Sequence, residues 1–371
     1  MKKSLFILAT AALVFASCNN DVKIDENKTL DDANEISFNP VVTRVKRAPA
    51  AADQDATSLQ ADGKGFFVTA KYNASTSQEG GSDYFDNAHY TYSASSYTCA
   101  NKYYWPSAGY LNFYAYAPAE KASEIARTNY TTFTITPNAS AASQEDFIYA
   151  VVYDQTKEAN GAGVSLNFHH AESKVSIQAK NTSTLAYTIG TVTLCQVSTT
   201  GTFTYTSAAT NISGGKLVSC WSAQSGSSAY VHTPGTTSFA AGASASAIAT
   251  DMILVPQTIA PVAGYSSASS GVGLATTGSF IKIQIKATQG GQYVVGGADS
   301  FVDAIWPLPT GTWDPGYHYT YTVDLAGGGY YTTNQDTNAD LDPILDGAEI
   351  KFVDVTVDSW DATPGETAVS M

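Results

Sequence analysis

Near the C-terminal end, four oxygen-bearing side chains alternate with other residues in the pattern of a cation-binding loop. They are Asp336, Asn338, Asp340 and Asp342. Carboxylate and amide oxygens at this spacing are typical calcium ligands, but Leu341 stands where a calcium loop needs glycine and Gly347 where it needs a bidentate glutamate. We therefore expect a solvated acidic loop, with calcium binding as the alternative, and we expect no cofactor.

Two neighbouring histidines, His169 and His170, are the other candidates for metal chemistry. Their segment alternates like a β-strand, so the two side chains should point to opposite faces and cannot easily share one ion. The sequence contains no metalloprotease motif, no G-x-S-x-G motif and no phosphate-binding glycine loop. These observations disfavour an enzyme, although the two carboxylates of a glycoside hydrolase have no fixed spacing and leave that class open.

Three cysteines follow Cys18, namely Cys99, Cys195 and Cys220. An odd number in a long chain does not predict a disulfide framework. Cys195 and Cys220 lie in neighbouring strand-like segments and could form one disulfide. We favour two buried thiols, because a disulfide requires close Cα positions that the sequence does not specify.

The N-terminal residues predict export. Two lysines precede an apolar run from Leu5 to Ala16, and Cys18 follows it, which is the pattern of a signal peptide over residues 1–17. Twelve helical residues rise about 18 Å against a hydrocarbon core of roughly 30 Å, so the run is too short to span a membrane. The site resembles the lipobox of bacterial lipoproteins, so we expect acylation of Cys18 and anchoring in outer-membrane lipid, with an ordinary secretory peptide as the alternative.

Composition restricts both the fold and the partners. The chain has 371 residues, of which 12% are aromatic and only 14% are charged, and it has 23 tyrosines. This composition favours sheets over helix bundles, and the length favours two domains. An excess of acidic side chains gives a formal charge of −14, which repels phosphate backbones and argues against nucleic acid as a partner.

Apolar and polar residues alternate over many short segments, as in half-buried β-strands. The clearest segments are 111–115, 164–168, 175–179, 281–285, 317–325 and 353–357. Only Ala119 to Arg127 is predicted to be helical. Strands with one solvent-exposed face, separated by many Gly, Asn and Ser turns, predict antiparallel β-sandwiches. We place the domain boundary in the least patterned stretch, Asn181 to Ala186.

Five tryptophans could form a platform for sugar rings, since aromatic faces stack on carbohydrate. They are Trp105, Trp221, Trp306, Trp313 and Trp360. Packing in the core or between domains is the commoner role of such residues, and we expect it here.

A basic cluster separates a short predicted strand from a stretch of small residues. Residues 36–42 are strand-like, and Arg44, Lys46 and Arg47 follow, before the small-residue stretch 48–62. A protease could bind extended backbone at this place. The alternative is a solvated basic spot without a function.

Several short motifs together resemble the fimbrillin family, the subunits of type V pili and related surface lipoproteins. The motifs are Cys18, an Arg after the first strand, Tyr104-Trp105-Pro106, residues 111–116 and 146–150, Phe168-His169 leading to Lys174-Val175, Val255-Pro256-Gln257, and the final Val355 to Trp360. The likeness covers nearly the whole chain. It implies an all-β fold of two transthyretin-like antiparallel β-sandwich domains in tandem and a non-enzymatic role at the cell surface.

The resemblance also implies a route of assembly. Family precursors are exported as lipoproteins, and an Arg-specific protease then removes the N-terminal segment with its first strand. A neighbour's C-terminal strand fills the groove that opens, so the expected partners are other pilin subunits, bound by β-strand addition. In this chain Arg47 is the preferred cleavage site and Arg44 the second. Residues 18–47 are then a tether with a removable strand, and the domains span 48–185 and 186–371.

Two functions follow from the sequence. The first is a fimbrial subunit that polymerises by strand exchange and contributes to adhesion. The second is a tethered lipoprotein, such as an adhesin or a pilus anchor or tip subunit, that binds glycan or host protein without cleavage. Val353 to Val357 is either a native last strand or the exchanged strand, and the sequence leaves both assignments open.

Overall fold

A computed structural model of the chain describes residues 34–42, 56–61, 63–77, 79–118, 123–205, 220–235, 237–249, 251–260, 263–267, 273–330, 342–343 and 353–360. Almost all regular structure in these residues is β. The strands of the first half are β1 Phe38–Val42, β2 Phe66–Asn73, β3 Ser82–Ser93, β4 Ser96–Cys99, β5 Tyr110–Ala117, β6 Ile125–Arg127, β7 Thr132–Ile135, β8 Ile148–Gln155, β9 Val164–His170 and β10 Ser173–Lys180.

The remaining elements follow in the second half. Its strands are β11 Ala186–Val197, β12 Thr200–Thr204, β13 Trp221–Ser225, β14 Ser228–His232, β15 Ser238–Phe239, β16 Ser246–Ala247, β17 Met252–Leu254, β18 Gln257–Ile259, β19 Ala263–Ser267, β20 Gly273–Thr277, β21 Phe280–Gln289, β22 Gln292–Val295, β23 Val302–Pro307, β24 Gly311–Trp313, β25 Tyr317–Asp324, β26 Gly329–Tyr330, β27 Asp342–Pro343 and β28 Asp354–Ser359. A short helix, α1, spans Ala56–Leu59, and 3-10 turns span Ala141–Ser143 and Leu325–Gly327.

The first sheet has seven strands in the order β1-β9-β8-β5-β2-β3-β4. Because side chains alternate along each strand, one face gathers a hydrophobic core that includes Phe66, Phe113 and Phe168. The sheet curls around this core, since the ring of Phe38 on edge strand β1 lies 4.8 Å from the ring of Tyr90 on β3. We call this cluster the inner core.

A four-stranded sheet, β13-β12-β7-β6, packs on the opposite face of the first sheet. The contact is aromatic: Phe133 of β7 and Phe203 of β12 pack among Tyr116 and Tyr149. The ring centroids of Phe133 and Tyr116 are 4.8 Å apart, a separation at which aromatic pairs add to the free energy gained by burial. These two sheets form the first β-sandwich.

The second β-sandwich consists of two further sheets. One has the order β16-β10-β25-β28, with β17 also paired to β10, and the other has the order β14-β11-β21-β23-β26-β27, with β15 and β22 attached to β11 and β21. Ile177, Ile283 and Trp306 are fully buried in the core between them. Two small sheets pair β18 with β24 and β19 with β20. The predicted all-β fold of tandem sandwiches is confirmed.

Strand pairing crosses the predicted domain boundary at residues 181–186 in both directions. β10 precedes the boundary and pairs with β25 of the second sandwich. β12 follows the boundary and pairs with β7 of the first sandwich. The two sandwiches are therefore interlocked by chain crossings, and a single boundary between residues 185 and 186 stays a prediction.

The predicted helix over residues 119–127 is wrong at its C-terminal end. Residues 119–122 lie outside the described residues, whereas Ile125–Arg127 form strand β6 and pair with β7. Ile125 is buried opposite Ile135, and short helices are marginal by themselves, so tertiary pairing overrides the local helix propensity. Within the described part of the chain, no helix has the length and apolar character that crossing a bilayer requires.

Candidate functional site

Both ends of the described chain lie at sheet edges. β1 is an edge strand of the seven-stranded sheet, and β28 is an edge strand of the sheet β16-β10-β25-β28. An edge strand presents a row of backbone groups to which another chain can pair. These two strands coincide with the segments that the sequence identified as the removable strand and the last strand.

The segment around β1 completes the curled sheet. Residues 38–42 pair in parallel, one for one, with residues 164–168 of β9. Just upstream, residues 34–36 form two backbone hydrogen bonds of 2.8 and 2.9 Å with residues 103–105. The segment 34–42 therefore lies between β9 and the chain that follows β4, and its backbone is paired along most of its length.

An aromatic pocket holds the side chain of Phe38. The ring lies 4.8 Å from Tyr90, 5.1 Å from Phe113 and 6.3 Å from Phe66, and each pair is nearly perpendicular. Edge-to-face arrangements of this kind are favourable for aromatic rings. Phe38 is 3% exposed and Ile36 is 2% exposed, so both side chains belong to the inner core.

Charged groups surround the upstream end of this segment. The Lys102 ammonium donates to the Glu35 carboxylate over 2.7 Å, and Lys157 donates to the side-chain oxygen of Asn34. Burial raises the pKa of the Tyr90 hydroxyl, and nearby Cys99, Tyr103 and Glu35 raise it further. The hydroxyl therefore stays neutral in the pocket, while the charges lie at its entrance.

β9 depends on β1 for most of its pairing. On its other side it pairs with β8 at two positions, Ile148 with His170 and Tyr149 with His169. The five residues from 164 to 168 pair with β1. Removing β1 therefore takes away the sheet partner of most of β9.

β28 is attached in a different way. Residues 354–359 pair antiparallel with residues 317–322 of β25. The next residue, Trp360, donates its backbone N–H to the carbonyl of Gly316 over 2.7 Å. Its indole stacks on the His170 ring with centroids 4.0 Å apart and an interplanar angle of 9°, and the Lys174 ammonium lies 5.5 Å from the indole centroid. The end of β28 is thus fixed on the last residue of β9.

Two buried carboxylates lie next to this stack. Asp146 Oδ2 is 2.6 Å from His170 Nδ1, and the Glu172 carboxylate accepts the Phe147 backbone N–H over 2.8 Å. Burial raises the pKa of Glu172 well above its usual range, and the neighbouring Asp146 adds to this shift. The His170 ring is buried against Trp360, whereas the half-buried His169 ring lies 6.0 Å from the ring of Tyr149. The two side chains therefore point to opposite faces of β9, as alternation along a strand predicts.

Several predicted site residues fall outside the described residues. They are Cys18, Arg44, Arg47, Asp336, Asn338 and Asp340. Asp342 is described only as a backbone position of β27, opposite Tyr330. Among the described residues no cluster of three or more His, Cys, Asp or Glu side chains could hold a metal ion. Lipidation, cleavage and calcium binding therefore stay predictions.

Cys195 and Cys220 lie in different parts of the fold. Cys195 is in β11 of the second sandwich, and Cys220 directly precedes β13 and packs in the aromatic core of the first sandwich. Both are buried, and no disulfide joins them. Burial raises the pKa of the Cys195 thiol to about 12, so this thiol is protonated and unreactive at neutral pH.

The tryptophans do not form a sugar platform in the described structure. Trp221, Trp306, Trp313 and Trp360 are buried, and Trp105 is half-buried against the inner core. Packing is therefore their role. The pocket around Phe38 was not identified from the sequence, because its rings come from three strands whose register no local pattern specifies.

Comparison with known proteins supplies the family. The model of fimbrillin-like proteins matches residues 43–360 of the chain. The chain belongs to the fimbrillin-like family. This membership gives the protein a structural, non-enzymatic role in pili or adhesion, a location at the cell surface and an association with other pilus subunits. No curated protein matches the chain.

One solved structure supports the fold. A fimbrial protein from Bacteroides vulgatus aligns with a TM-score of 0.54 and 16% identity over 88% of this chain and 99% of its own. Candidate cell adhesion proteins are more distant. One from Bacteroides ovatus aligns with a TM-score of 0.43 and 14% identity over 89% of this chain and 98% of its own. One from Bacteroides uniformis aligns with a TM-score of 0.40 and 16% identity over 84% and 98%. The fimbrial protein thus shares the fold of this fimbrillin-like chain.

Proposed function

We propose that this fimbrillin-like protein is a fimbrial subunit that polymerises by strand exchange after proteolytic removal of its N-terminal segment, and that it contributes to surface adhesion in that form. The observation that carries the proposal is the place of β1. It is an edge strand, and its segment supplies Ile36 and Phe38 to an inner core whose other members lie between Leu59 and Phe168.

Loss of this segment creates a groove that favours another strand. The backbone groups of residues 164–168 lose their partners and become a row of donors and acceptors to which another strand can pair. The aromatic pocket around Phe38 becomes exposed to water at the same time, which is unfavourable for apolar surface. Addition of a strand from a neighbour satisfies the backbone and refills the pocket together.

The proposed processing begins with acylation of Cys18 and continues with cleavage after Arg47 or, as the second site, after Arg44 by an Arg-specific protease. Both arginines follow β1, whose last residue is Val42, so cleavage at either position separates the complete strand from the rest of the chain. The mature chain then begins at residue 48, or at residue 45 after cleavage at Arg44, and contains both interlocked sandwiches.

The proposed donor is the C-terminal segment of a neighbouring subunit. β28 lies at a sheet edge, so it can leave without breaking a sheet into two parts. A contact between a donor at one end and a groove at the other is heterologous, and repetition of such a contact produces a filament unless the rotation closes a ring.

The first test removes the cleavage sites. The double variant Arg44→Ala/Arg47→Ala should remain a folded, lipidated monomer that forms no filaments, as judged by electron microscopy and by intact mass. Filaments of this variant with residues 34–42 still attached would falsify the proposed mechanism.

The second test separates cleavage from strand departure. Asn39 and Ser165 are paired in register and both exposed, and paired Cα atoms of neighbouring strands are close enough for a disulfide. The variant Asn39→Cys/Ser165→Cys should be cleaved normally yet form no filaments until a reductant is added. Asn39→Cys alone is the matched control, and assembly of the oxidised double variant argues against exchange at this groove.

A second candidate function rests on one exposed cluster. Tyr293 is 44% exposed and Phe301 is 40% exposed, and the Lys286 ammonium lies 5.8 and 4.9 Å from the two ring centroids. Exposed aromatic rings beside a cation could bind glycan or host protein on a tethered, unprocessed chain. A glycan and matrix-protein binding screen in which Tyr293→Ala/Phe301→Ala equals the unmodified protein rejects this candidate.

A further inference from the structure

The sequence contains the pattern Glu-Ile-x-Phe at two positions. The first is Glu35-Ile36-Ser37-Phe38 and the second is Glu349-Ile350-Lys351-Phe352; the pattern occurs nowhere else in the 371 residues. The first copy enters β1, and the second directly precedes β28. The same four-residue pattern therefore stands beside the strand that leaves and the strand that is proposed to arrive.

Each position of the first copy has a defined role in the groove. Ile36 and Phe38 are buried in the inner core, and Phe38 fills the aromatic pocket. Glu35 forms the 2.7 Å ion pair with Lys102, whereas Ser37 is exposed. A replacement strand in the direction and register of β1 must supply an aliphatic side chain and, two residues later, an aromatic ring. An acid before the aliphatic residue adds the weaker contact with Lys102.

We propose that residues 349–356 of a second copy of this chain dock parallel to β9 in the register of β1, with Phe352 in the Phe38 pocket. This inference rests on the proposed strand exchange and specifies its register and partner. Ile350 then takes the place of Ile36, and Glu349 faces Lys102.

The positions outside the pattern fit this register less closely than the pattern itself. Lys351 replaces exposed Ser37, and Val353 replaces exposed Asn39. Beyond the pattern, Asp354 falls at half-buried Pro40 and Val355 at exposed Val41, whereas Thr356 replaces Val42, whose side chain packs against the inner core. A register shifted by one residue would instead turn Phe352 to the solvent face.

Exchange also requires the donor to leave its own subunit. Asp354 and Thr356 pair with β25 at the edge of the second sandwich, and the Asp354 side chain is 74% exposed in its ion pair with Lys180. The donor therefore gives up antiparallel pairing with β25 for parallel pairing with β9. In the acceptor, Ile350 and Phe352 refill the apolar pocket that loss of Ile36 and Phe38 leaves open.

Peptide binding to the cut full-length protein tests the register. Residues 43–47 are replaced by the recognition sequence of a specific protease, the folded protein is cut, and the freed N-terminal segment is removed. Labelled peptides are then added while anisotropy is measured. A peptide of residues 347–358 should bind, and its Phe352→Ala form should bind roughly 100-fold more weakly or worse, as for loss of a buried Phe side chain. Its Glu349→Gln form should lose less than about fivefold, because exposed ion pairs contribute little.

A peptide of residues 33–42 is the matched control, because it restores the original strand. If the 33–42 peptide binds and the 347–358 peptide does not, the proposed register is wrong, although the groove still accepts a strand. The register is also wrong if Phe352→Ala has no effect on binding of the 347–358 peptide. If neither peptide binds, the groove does not accept strands and the proposed function fails with it.

A cross-link measures the register directly. Val353 takes the place of Asn39, whose partner is Ser165, so a 347–358 peptide with Val353→Cys should form a disulfide with protein carrying Ser165→Cys and Cys99→Ser. The same peptide with Asp354→Cys should not, since its thiol points to the other face. Equal cross-linking of both peptides, or cross-linking of the second alone, overturns the assignment.

Discussion

The two edge strands at the ends of this fold are supported in opposite ways. β1 is bound in parallel to β9, and β9 pairs with β8 at only two positions. β28 is bound antiparallel to β25, and β25 pairs with β10 along seven positions. β25 therefore keeps a sheet partner when β28 leaves, whereas β9 loses most of its pairing when β1 leaves.

This difference separates an acceptor from a donor. When β28 leaves, only the contacts of β28 itself are lost, because β25 stays paired with β10. At β1 departure also weakens the neighbour and opens the inner core, so the site favours replacement over an empty groove. Pro40 lies in β1, as proline does in edge strands whose outer side has no ladder to join.

Deletion of each strand is expected to have the largest effect and tests the comparison directly. A chain lacking residues 1–42 should lose protection of the amides of residues 164–168, with exchange faster by on the order of 100-fold, because their pairing opens locally. A chain ending at residue 352 should keep β25 protected. Hydrogen exchange with mass spectrometry distinguishes the two, and equal loss in both chains would show that the two edges are equivalent.

Truncating one core side chain in each strand is the next largest test. Phe38→Ala should lower the free energy of unfolding of the first sandwich by about 3–5 kcal/mol, because a ring-sized cavity is left. Val357→Ala in β28 should cost about 1.5 kcal/mol, in proportion to the smaller apolar volume removed. Urea unfolding with probes in each sandwich measures both, and a larger loss for Val357→Ala reverses the proposed roles of the two edges.

The buried Glu172 carboxyl near β28 should make stability depend on pH at the β28 edge and not at the β1 edge. The pKa of Glu172 is raised in the folded protein by burial and by Asp146, so the folded state binds its proton more tightly than the unfolded state does. The protonated Glu172 carboxyl therefore stabilises the folded state below the ordinary carboxyl pKa. This stabilisation is lost as the pH rises through the pKa that Glu172 has in the folded protein.

Glu172→Gln should flatten the decline of stability with pH across that window. The glutamine oxygen can still accept the Phe147 N–H, so the structural hydrogen bond is kept. Exchange of the Trp360 amide, measured from below the ordinary carboxyl pKa upward, reports the effect near β28. A pH dependence identical to that of the unmodified protein would assign the slope to another group.

The smallest expected effect concerns the ion pair at the entrance of the groove. Glu35→Gln should change the free energy of unfolding by less than about 1 kcal/mol, because Lys102 is largely exposed and surface pairs are screened. Lys102→Met serves as the matched variant. A loss of the size expected for Phe38→Ala would mean that charge, and not the aromatic pocket, holds β1.

The sequence predicted the strands well because alternation is a local signal. Segments such as 164–168 and 281–285 are strands with their apolar residues buried. The helix predicted to end at Arg127 was wrong, because a three-residue strand is decided by its partner β7 and not by propensity.

The site was only partly predictable. The strand at residues 36–42 was identified from its pattern, whereas its parallel pairing to β9 joins residues more than a hundred positions apart. No local pattern encodes such a contact, and the stacking of Trp360 on His170 has the same origin. Cys18, Arg44 and Arg47 were chosen by motif, and they lie outside the described residues.

The parallel direction of the β1 pairing has a mechanical consequence. β9 ends at His170 and continues through Glu172 into β10, so tension from the second sandwich of the acceptor enters β9 at its C-terminal end. A donor in the register of β1 is connected to its own body at its N-terminal end. When two parallel strands are pulled at opposite ends, all five residue pairs between them are loaded in shear at the same time. If both strands were pulled at the same end, the pairs would break one after another. Subunits joined in this way would resist the drag force of flowing liquid through all the backbone hydrogen bonds between the donor strand and β9.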